Sequence, residues 1–579
     1  MALKCIINHI GFHTTAVKRV LLHGSGYSHF DVQDMQEVEQ EQFSKRENWK
    51  TVFTGQLESA QSGLGDFLVG DFSDLTRPGT YRITVNDAEH WSYQFTISDR
   101  AFDNLSFLFL DFIHNWRSGD HGLHWRDPSN LDDAVRSDNG EQIDVTGGWY
   151  DAGDLRKWMV HTNLPLSGFL DIYTKKRLKR NAFSEEKISG NDFITESAWA
   201  LEFMLKMQDP DTGMFFEDVA GGGSARETDD LSWWYENHAG CVADNSENHF
   251  TDNMSSSGDE RTVRVRYNPI ANYTTIYLLL KAARIIGTLL PELSEQCRHA
   301  ALKGWHFMTG KQKSNDAFHT WTSVIAWKLM AALEIYSAGE LSEDDLKIYT
   351  DDLLDLQSPV HGFWFMNKER NDPYRGILHS AQPLIALAMV HDLFPGKKIA
   401  EKIKASLSLC SEQYVIPATG TSPFRIMPYG FYFAPASDEI YRFFSKDLCF
   451  RFFMPDNSAQ KLNHGLNGHW MSWSHAMALA SRILNSDKLA DLAWAQIYWA
   501  LGNNPAMASL VTGAGYNNPM PHSRFLGPYP GGFMSGFIGD VNDKAVLDME
   551  GCAQWNTTEY WNTPLANCMM ALAELESIQ

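Results

Sequence analysis

The chain has 579 residues, more than one hydrophobic core usually serves, so at least two domains are expected. Its 72 acidic side chains outnumber 49 basic ones, and the net charge of −23 argues against nucleic acid and anionic membranes as partners. No segment approaches the roughly 20 consecutive apolar residues of a membrane-spanning helix, so we expect a globular protein with no membrane partner.

The first hundred residues alternate apolar and polar side chains, which is the pattern of half-buried strands. The alternation is clearest at 18–22, 81–85 and 91–97. Turn-forming residues separate these runs, for example at 77–80. Short strands joined by regular turns are typical of an all-β sandwich, which we predict for residues 1–98.

From residue 101 onward the apolar spacing becomes helical, beginning with a helix that contains Leu105 and Trp116. Almost nothing after residue 98 has the pattern of an extended sheet. We therefore predict that the body, 99–579, is all-α with roughly a dozen helices, in an architecture that the pattern alone does not choose. Further predicted helices lie at 192–208, 269–289, 294–309, 319–337, 343–356, 377–394, 398–414, 468–484 and 487–502.

The segment 209–268 is predicted to be a long loop, because it is rich in glycine, serine and acidic residues. Long loops in compact domains are often functional. Asp229, Asp230 and Glu236 are candidate partners for a positively charged ligand. A solvated loop with its aromatic rings tucked underneath is an equally good interpretation of any one of these residues.

The segment 147–154, with the sequence GGWYDAGD, combines two carboxylates, flanking glycines and two aromatic rings. Glycine permits turn conformations that other residues resist. The carboxylates of Asp151 and Asp154, held close to one water molecule, suit general-base chemistry. The simpler interpretation is a loop in which Asp154 caps a helix that begins at Leu155.

Three short motifs lie near the C-terminus: LGNNP at 501–505, VTGAG at 511–515 and PHSR at 521–524. The last contains His522 and Arg524. An arginine offers a fixed fork of donors, and a cation beside a carboxylate keeps that carboxylate ionised. A histidine–arginine pair in isolation would more often be a surface feature.

Together with GGWYDAGD, these motifs resemble those of glycoside hydrolase family 9, an inverting cellulase-type family. The resemblance implies that the helical body is an (α/α)6 barrel, with long loops that shape a cleft at one end. The segment 71–82 resembles the immunoglobulin-like module that precedes many family 9 catalytic domains, where it is mostly a structural companion. Among family members, the chain resembles most closely the intracellular exo-acting ones, such as exo-β-glucosaminidases.

Carried over residue by residue, the resemblance implies roles for four side chains. Asp154 would take a proton from the attacking water, and Asp151 would hold that water. His522 and Arg524 would bind sugar hydroxyls and the nearby carboxylates at the catalytic subsite.

Aromatic rings are also expected to contribute to substrate binding. Trp149 and Tyr150 lie in the central motif and offer flat faces of the kind that stack on sugars. Trp321 and Trp364 are further candidate platforms. For any single tryptophan, a place in the core is the default interpretation.

The general acid of the family is a glutamate a short way before the C-terminal helix, and the resemblance indicates Glu559. The spacing departs from the family pattern. In many members the glutamate precedes a conserved asparagine by six residues, whereas Glu559 precedes Asn562 by three. An ungapped alignment would place Asn556 there, and an asparagine cannot serve as an acid. We infer a local deletion, with Glu550 as a distant second candidate.

The implied reaction is single-displacement hydrolysis of a β-1,4-glycosidic bond with inversion. Glu559 in its protonated form would donate to the leaving oxygen while Asp154 deprotonates the attacking water. Inverting geometry then requires the two carboxyl groups to lie roughly 6.5–9.5 Å apart.

Three features favour exo-cleavage of short soluble oligosaccharides over attack on insoluble polymer. The N-terminus shows no export signal, there is no linker or cellulose-binding appendage, and the seven cysteines have no disulfide-like pattern. We therefore expect a cytoplasmic enzyme, or a secreted one if the sequence lacks its leader. Chitosan-type glucosaminides and cellodextrins are both candidate substrates; an endo-β-1,4-glucanase is the alternative, and a non-catalytic sugar-binding protein is a third hypothesis.

No metal or cofactor is predicted. Some relatives with the same leading module bind zinc through cysteine and histidine just before the central motif, but no cysteine lies between Cys5 and Cys241. His121 and His124 alone are weak evidence for a metal. A structural calcium ion and the oligomeric state stay open at this point.

Overall fold

In the computed structural model, the N-terminal part of the chain is a set of nine strands. The described residues are 4–36, 48–85, 90–123, 126–153, 155–178, 192–220, 253–257, 260–313, 317–434, 442–454, 464–522, 528–550 and 555–577. The strands are β1 (Lys4–Ile6), β2 (Gly11–Phe12), β3 (Arg19–His23), β4 (His29–Gln36), β5 (Asn48–Ser62), β6 (Gly65–Asp71), β7 (Gly79–Val85), β8 (His90–Trp91) and β9 (Phe95–Ile97).

The long strand β5 connects the two halves of this β-structure. Its first part pairs with β4 and its second part pairs with β6, so the strand order is β1-β3-β6-β5-β4-β7-β9-β2, with β8 on β7. Apolar side chains from both halves meet: the Phe12 ring lies 5.6 Å from that of Phe72, and Phe30 lies 6.3 Å from Phe72. The strand prediction for this region is confirmed, except that the run 91–97 is divided between β8 and β9.

Helices dominate the remainder of the described chain. They are α1 (Asp103–Asn115), α2 (Leu164–Asp171), α3 (Asp192–Lys206), α4 (Pro269–Ile286), α5 (Pro291–Lys313), α6 (Thr322–Ser337), α7 (Glu343–Leu354), α8 (Gln382–Leu393), α9 (Lys398–Cys410), α10 (Ile416–Thr419), α11 (Asn467–Leu484), α12 (Asp487–Ala500), α13 (Trp555–Thr558) and α14 (Asn562–Leu575). π-Helical turns at Ile172–Lys176 and Ser411–Val415 extend α2 and α9.

Six of these helices form a closed ring. Helix α2 packs against α4, α4 against α6, α6 against α8, α8 against α11, α11 against α14, and α14 returns to α2. Five of the ring helices also pack against the helix that comes next in the chain: these five are α2, α4, α6, α8 and α11. Helices of the ring are buried almost all round, whereas the partners α5, α7 and α9 keep an exposed polar face, as the two-layer arrangement requires.

The helix boundaries follow from local side-chain chemistry. Asn268 accepts hydrogen bonds from the N–H groups of Ile270 and Ala271, which starts α4. Ser342 caps α7, and Ser486 caps α12 through the Leu489 N–H. Each predicted helical segment contains a helix whose ends differ by a few residues from the prediction.

The expectation of almost no sheet after residue 98 is wrong. A four-stranded sheet of order β10-β13-β12-β11 and a three-stranded sheet of order β14-β16-β15 lie among the helices. Their strands are two to four residues long, too short for a period-two pattern to stand out. These strands, with one further pair, are β10 (Val135–Arg136), β11 (Lys157–Trp158), β12 (Asp218–Ala220), β13 (Thr262–Arg264), β14 (Gly430–Phe433), β15 (Arg442–Phe443), β16 (Leu448–Arg451), β17 (Ile538–Gly539) and β18 (Ala545–Val546).

Helix α2 is missing from the predicted helices, because its eight residues are all buried and show no polar face. Strands β12 and β13 also lie within the segment predicted to be a loop, 209–268. Asp229, Asp230 and Glu236 of that segment lie outside the described residues.

The residues just before the ring helices meet at one end of the ring. The Nδ1 atom of His161, before α2, lies 2.8 Å from the Thr563 Oγ1 atom of α14. The ring of His464, before α11, lies 5.6 Å from that of Trp561, before α14. This end of the ring carries the chemistry described below.

Five described cysteines are buried free thiols: Cys5, Cys297, Cys410, Cys449 and Cys568. In the part of the chain that the structure describes, none of the helices combines the length and apolar character needed to cross a membrane.

Candidate active site

The central motif begins with a sharp bend at two glycines. Gly147 and Gly148 have φ angles of +92° and +74°, which side chains rarely tolerate. A Cβ atom on Gly148 would also lie 2.5 Å from the Phe203 ring of α3. The bend therefore requires glycine.

Asp151 is nearly buried, and its loop closes on itself. The Trp158 N–H donates to Oδ1 of Asp151 at 2.9 Å, and the Asp151 N–H donates to the Arg156 carbonyl at 2.8 Å. The Asn562 N–H donates to the Asp151 carbonyl at 3.1 Å, which joins the loop to α14. Asp154, the last residue of the motif, lies outside the described residues.

Glu559 occupies the short connection between α13 and α14. The residue is only 3% exposed, and the Trp561 Nε1–H donates to Oε2 at 2.8 Å. The Ser535 N–H donates to the Glu559 carbonyl at 2.8 Å. Glu550, the second candidate for the acid, is exposed to solvent.

Gly153 is where the three motifs converge. A Cβ atom on it would lie 2.8 Å from the His522 carbonyl oxygen and 3.2 Å from Cγ of Glu559. The His522 N–H in turn donates to the Thr558 carbonyl at 3.1 Å. The structure thus brings together Asp151, His522 and Glu559, which come from three distant parts of the sequence. Arg524 lies outside the described residues.

Trp149 and Tyr150 do not fit the expectation that they stack on substrate. Both side chains are 0% exposed, so neither ring offers a face to a sugar. The Trp149 Nε1–H donates to Oε1 of Glu196 at 2.8 Å, and the Tyr150 hydroxyl bonds to Asn130 and Ser129 at 2.9 Å. These contacts hold the motif in place from the protein interior, and we assign this role to Trp149 and Tyr150.

The other two candidate platforms differ from each other. Trp364 is buried, and its Nε1–H donates to the Leu353 carbonyl at 3.1 Å. Trp321 is 41% exposed and stands just before α6, one of the six ring helices. Trp321 remains the candidate with a face open to a ligand.

A family model for glycosyl hydrolase family 9 matches residues 105–529, well over half of the chain. The chain belongs to glycosyl hydrolase family 9. The enzyme class is therefore that of the O-glycosyl hydrolases. A second model, the cellulase N-terminal ig-like domain, matches residues 4–90, so the nine-stranded domain is immunoglobulin-like.

Several curated proteins are similar to this family 9 chain. Endoglucanase D of Acetivibrio thermocellus is 22% identical over 540 residues, covering 88% of this chain and 73% of that protein. A cellodextrinase of Butyrivibrio fibrisolvens is 28% identical over 221 residues, covering 35% of this chain. The match spans only 38% of the cellodextrinase.

Solved structures share the whole fold at low identity. A metagenome-derived family 9 endoglucanase has a TM-score of 0.72 at 16% identity, covering 100% of this chain and 99% of the other. A family 9 protein of Bacteroides ovatus has a TM-score of 0.68 at 18% identity, with 99% and 98% coverage. At such identities the likeness establishes the fold alone.

Sequence analysis missed the histidines that border the family 9 site. The His161 ring lies 4.5 Å from that of Trp158 and 6.1 Å from that of His379, to which it is nearly parallel. Each histidine stands within a few residues of the start of a ring helix, α2 or α8. A histidine just before a ring helix could indicate a residue near the site, but only when the ring of helices is already known.

His121, which is weak evidence for a metal, makes hydrogen bonds through both of its ring nitrogens. The Leu123 N–H donates to Nδ1 of His121 at 3.1 Å, and Nε2 lies 3.0 Å from the Asp127 carbonyl. His124 lies outside the described residues. Among the residues that the structure describes, no three histidine, cysteine, aspartate or glutamate side chains are grouped to hold a metal ion.

Buried histidines should make the enzyme sensitive to acid. Burial lowers the pKa of His9, His379 and His469 to about 4 and that of His475 to about 3, below the roughly 6.5 of an unfolded chain. The unfolded state then binds more protons below pH ~6.5. The free energy of unfolding should therefore fall as the pH drops towards 4, by up to about 1.4 kcal/mol per pH unit for each histidine.

Urea denaturation at intervals from pH 7.5 to 4.5 measures this dependence. His475→Gln should remove the contribution of one proton from the slope. A free energy of unfolding that stays constant between pH 6.5 and 4.5 would contradict the prediction.

Proposed function

We propose that this family 9 enzyme hydrolyses β-1,4-glycosidic bonds of oligosaccharides with inversion at the anomeric carbon. The observation that carries the proposal is the convergence at Gly153, where the backbone of His522 and the side chain of Glu559 border the loop of Asp151. A buried acid opposite a carboxylate-bearing loop is the arrangement that single displacement needs.

Glu559 is proposed as the general acid that protonates the leaving oxygen. Its Oε2 atom is oriented by the Trp561 indole, and its Cγ and Oε1 atoms face Gly153. The rigid backbone bond from Ser535 supports this position. A fixed direction of proton delivery favours one bond in one orientation of the substrate.

Asp151 and Asp154 are proposed as the pair that acts on the water. Oδ1 of Asp151 accepts a hydrogen bond from the Trp158 N–H, which restricts the orientation of the carboxylate. Asp154, one residue beyond Gly153, would accept the proton, at roughly 6.5–9.5 Å from the Glu559 carboxyl. His522 and Arg524 are proposed to hold the sugar hydroxyls at this subsite.

The architecture proposed for this function is an (α/α)6 barrel over 99–579, following the immunoglobulin-like domain of 1–98. Support comes from the closed ring α2-α4-α6-α8-α11-α14 and its outer partner helices. In such a barrel the ends of the ring helices surround a cleft, and exposed Trp321 stands just before the ring helix α6.

Soluble β-1,4-glucan oligosaccharides, the cellodextrins, are the proposed substrates. Similar proteins are named endoglucanase and cellodextrinase, and the second name refers to cellodextrins. Glucosaminide oligomers are the second candidate, favoured by the net charge of −23, which suits a cationic sugar. Exo-cleavage is proposed for either substrate, with endo-cleavage as the competing mode.

Product analysis on cellotetraose and on the chitosan tetramer tests the proposal. We expect a sugar to be released from one end of cellotetraose. Proton NMR during turnover should show inverted anomeric configuration in the product that forms first. Terminal glucosamine from the chitosan tetramer would instead establish the second candidate, and cleavage in the middle of cellotetraose would establish an endoglucanase. Retention of configuration, or no hydrolysis of either tetramer, would overturn the proposal.

A further inference from the structure

His9 of the immunoglobulin-like domain is enclosed by the catalytic domain. It lies between β1 and β2 and is only 4% exposed. Its backbone N–H donates to the Leu501 carbonyl at 2.9 Å, and its Nδ1 atom accepts from the Tyr516 N–H at 3.2 Å. One residue therefore binds both ends of the loop 501–516.

Aromatic rings from both domains enclose the His9 imidazole. The Tyr93 ring of the immunoglobulin-like domain lies 4.7 Å from His9 in an edge-on arrangement. Tyr93 also stacks on Tyr516 of the catalytic domain, with centroids 4.7 Å apart and planes inclined by 5°. His9 and the two tyrosines form what we call the His9 junction.

Two glycines of the catalytic domain leave space for His9, because they have no side chains. A Cβ atom on Gly502 would lie 2.5 Å from the His9 ring, and one on Gly515 would lie 2.7 Å from the His9 Cβ atom. Their φ angles of +116° and +69° also disfavour a side chain. Both glycines belong to the motifs LGNNP and VTGAG, so these motifs form the socket of the His9 junction.

Hydrogen bonds cross-link the loop closed by His9. The Ser509 N–H donates to the Tyr516 carbonyl at 3.1 Å. The amide of Asn518 donates to the carbonyls of Ser509 and Val511 at 2.9 Å and of Ala514 at 3.2 Å. A displacement at Tyr516 is therefore shared by the whole loop.

The same chain then runs directly to the proposed active site. The Met520 N–H donates to the Met549 carbonyl at 2.9 Å, and the His522 N–H donates to the Thr558 carbonyl, next to Glu559. His522 is six residues beyond Tyr516. The His9 junction and the acid are thus connected by one hydrogen-bonded segment.

We propose that His9 is a positioning residue: it holds the loop 501–516, and through it places His522 relative to Glu559. The proposal rests on the proposed function for its catalytic readout. The immunoglobulin-like domain is then part of the catalytic apparatus through a single inserted side chain. A displacement of about 1 Å in a catalytic constellation can cost a hundredfold in rate.

The test compares four full-length variants with the native chain. His9→Leu removes the acceptor for the Tyr516 N–H, whereas His9→Asn retains an acceptor close to the position of Nδ1. Tyr93→Leu removes the ring contact and leaves both hydrogen bonds. His29→Leu, at an exposed histidine of β4, is the matched control.

Two readouts are taken for each variant: kcat and KM on cellotetraose, and hydrogen exchange of the amides from 516 to 522. We expect His9→Leu to lower kcat ten- to hundredfold with KM changed less than threefold, and to increase exchange at 516–522. His9→Asn should stay within threefold of native kcat, Tyr93→Leu should fall between them, and His29→Leu should match the native chain.

Hydrogen exchange separates a failure of this proposal from a failure of the proposed function. If the native chain hydrolyses neither tetramer, increased exchange at 516–522 in His9→Leu still supports the positioning role. Unchanged exchange there overturns it, as does unchanged kcat in an active enzyme. If His9→Leu does not fold, His9→Ala takes its place, because it also removes the acceptor for the Tyr516 N–H. Native exchange at 516–522 in that variant would overturn the proposal.

Discussion

Glu559→Gln should lower kcat on cellotetraose by about 10²- to 10⁴-fold, the range typical of a lost general acid. The glutamine amide oxygen can still accept from the Trp561 indole, so the local structure should be retained. KM should change little, because the variant keeps the shape and the neighbours of the site. Steady-state kinetics and a circular dichroism spectrum of the variant are the measurements.

The nature of the leaving group provides a diagnostic control. A substrate whose leaving group is a weak base, such as a dinitrophenyl β-cellobioside, needs no proton from the enzyme. Glu559→Gln should therefore lose far less activity on this substrate than on cellotetraose. Equal losses on both would indicate that Glu559 acts in some other way.

Glu550→Gln is the matched control for charge and residue type. Glu550 is exposed to solvent, so its side chain has no buried role. The variant should retain native kcat. Loss of activity in Glu550→Gln with an active Glu559→Gln would reverse our assignment of the C-terminal segment.

Glu196→Ala should destabilise the protein by about 3–5 kcal/mol, which is the cost of removing one partner of a buried ion pair. Glu196 of α3 is 0% exposed and accepts from Nε and Nη2 of Arg117 at 2.8 and 2.7 Å. His114 lies 3.0 Å away, and the Trp149 indole donates at 2.8 Å. Burial alone would raise its pKa, but the charge of Arg117 and the bond to His114 hold it at about 2.

The variant leaves a nearly buried guanidinium and a buried indole N–H without their acceptor. Chemical denaturation of Glu196→Ala measures the loss, with Glu202→Ala, an exposed position on the same helix, expected within about 0.5 kcal/mol of native. Because Trp149 anchors the central motif, Glu196→Ala should also lower kcat at temperatures where it is folded. A change below about 1 kcal/mol would contradict the interpretation of Glu196 as a buried hub.

Some features of this enzyme follow from the sequence because their causes are local. The strands of the first domain and the helices α3 to α9, α11 and α12 follow from apolar periodicity and from caps such as Asn268. The family motifs are also contiguous in the chain, and resemblance to them is enough to indicate Asp151, His522 and Glu559. The glycine bend at 147–148 follows from residue type alone.

Other features depend on which distant segments come together. Within its motif, Trp149 resembles a residue that stacks on sugar rings. In the folded chain it is buried, and its indole N–H donates to Glu196, 47 residues later. The short strands β10 to β13 exist only because their partners come from separate parts of the chain. Local patterns contain no information about such partners, since burial is a property of the assembled surface.

The amino-acid sequence alone thus establishes the resemblance to the family, the two kinds of domain, most of the helices and the candidate acidic residues. The folded chain adds that Glu559 rather than Glu550 borders Gly153, that Trp149 and Tyr150 lie beneath the site, and that His9 inserts into the catalytic domain. The physical reason is the range of the interactions: helix and strand patterns arise within a few residues, whereas a site is formed by side chains that meet only after the ring of helices closes.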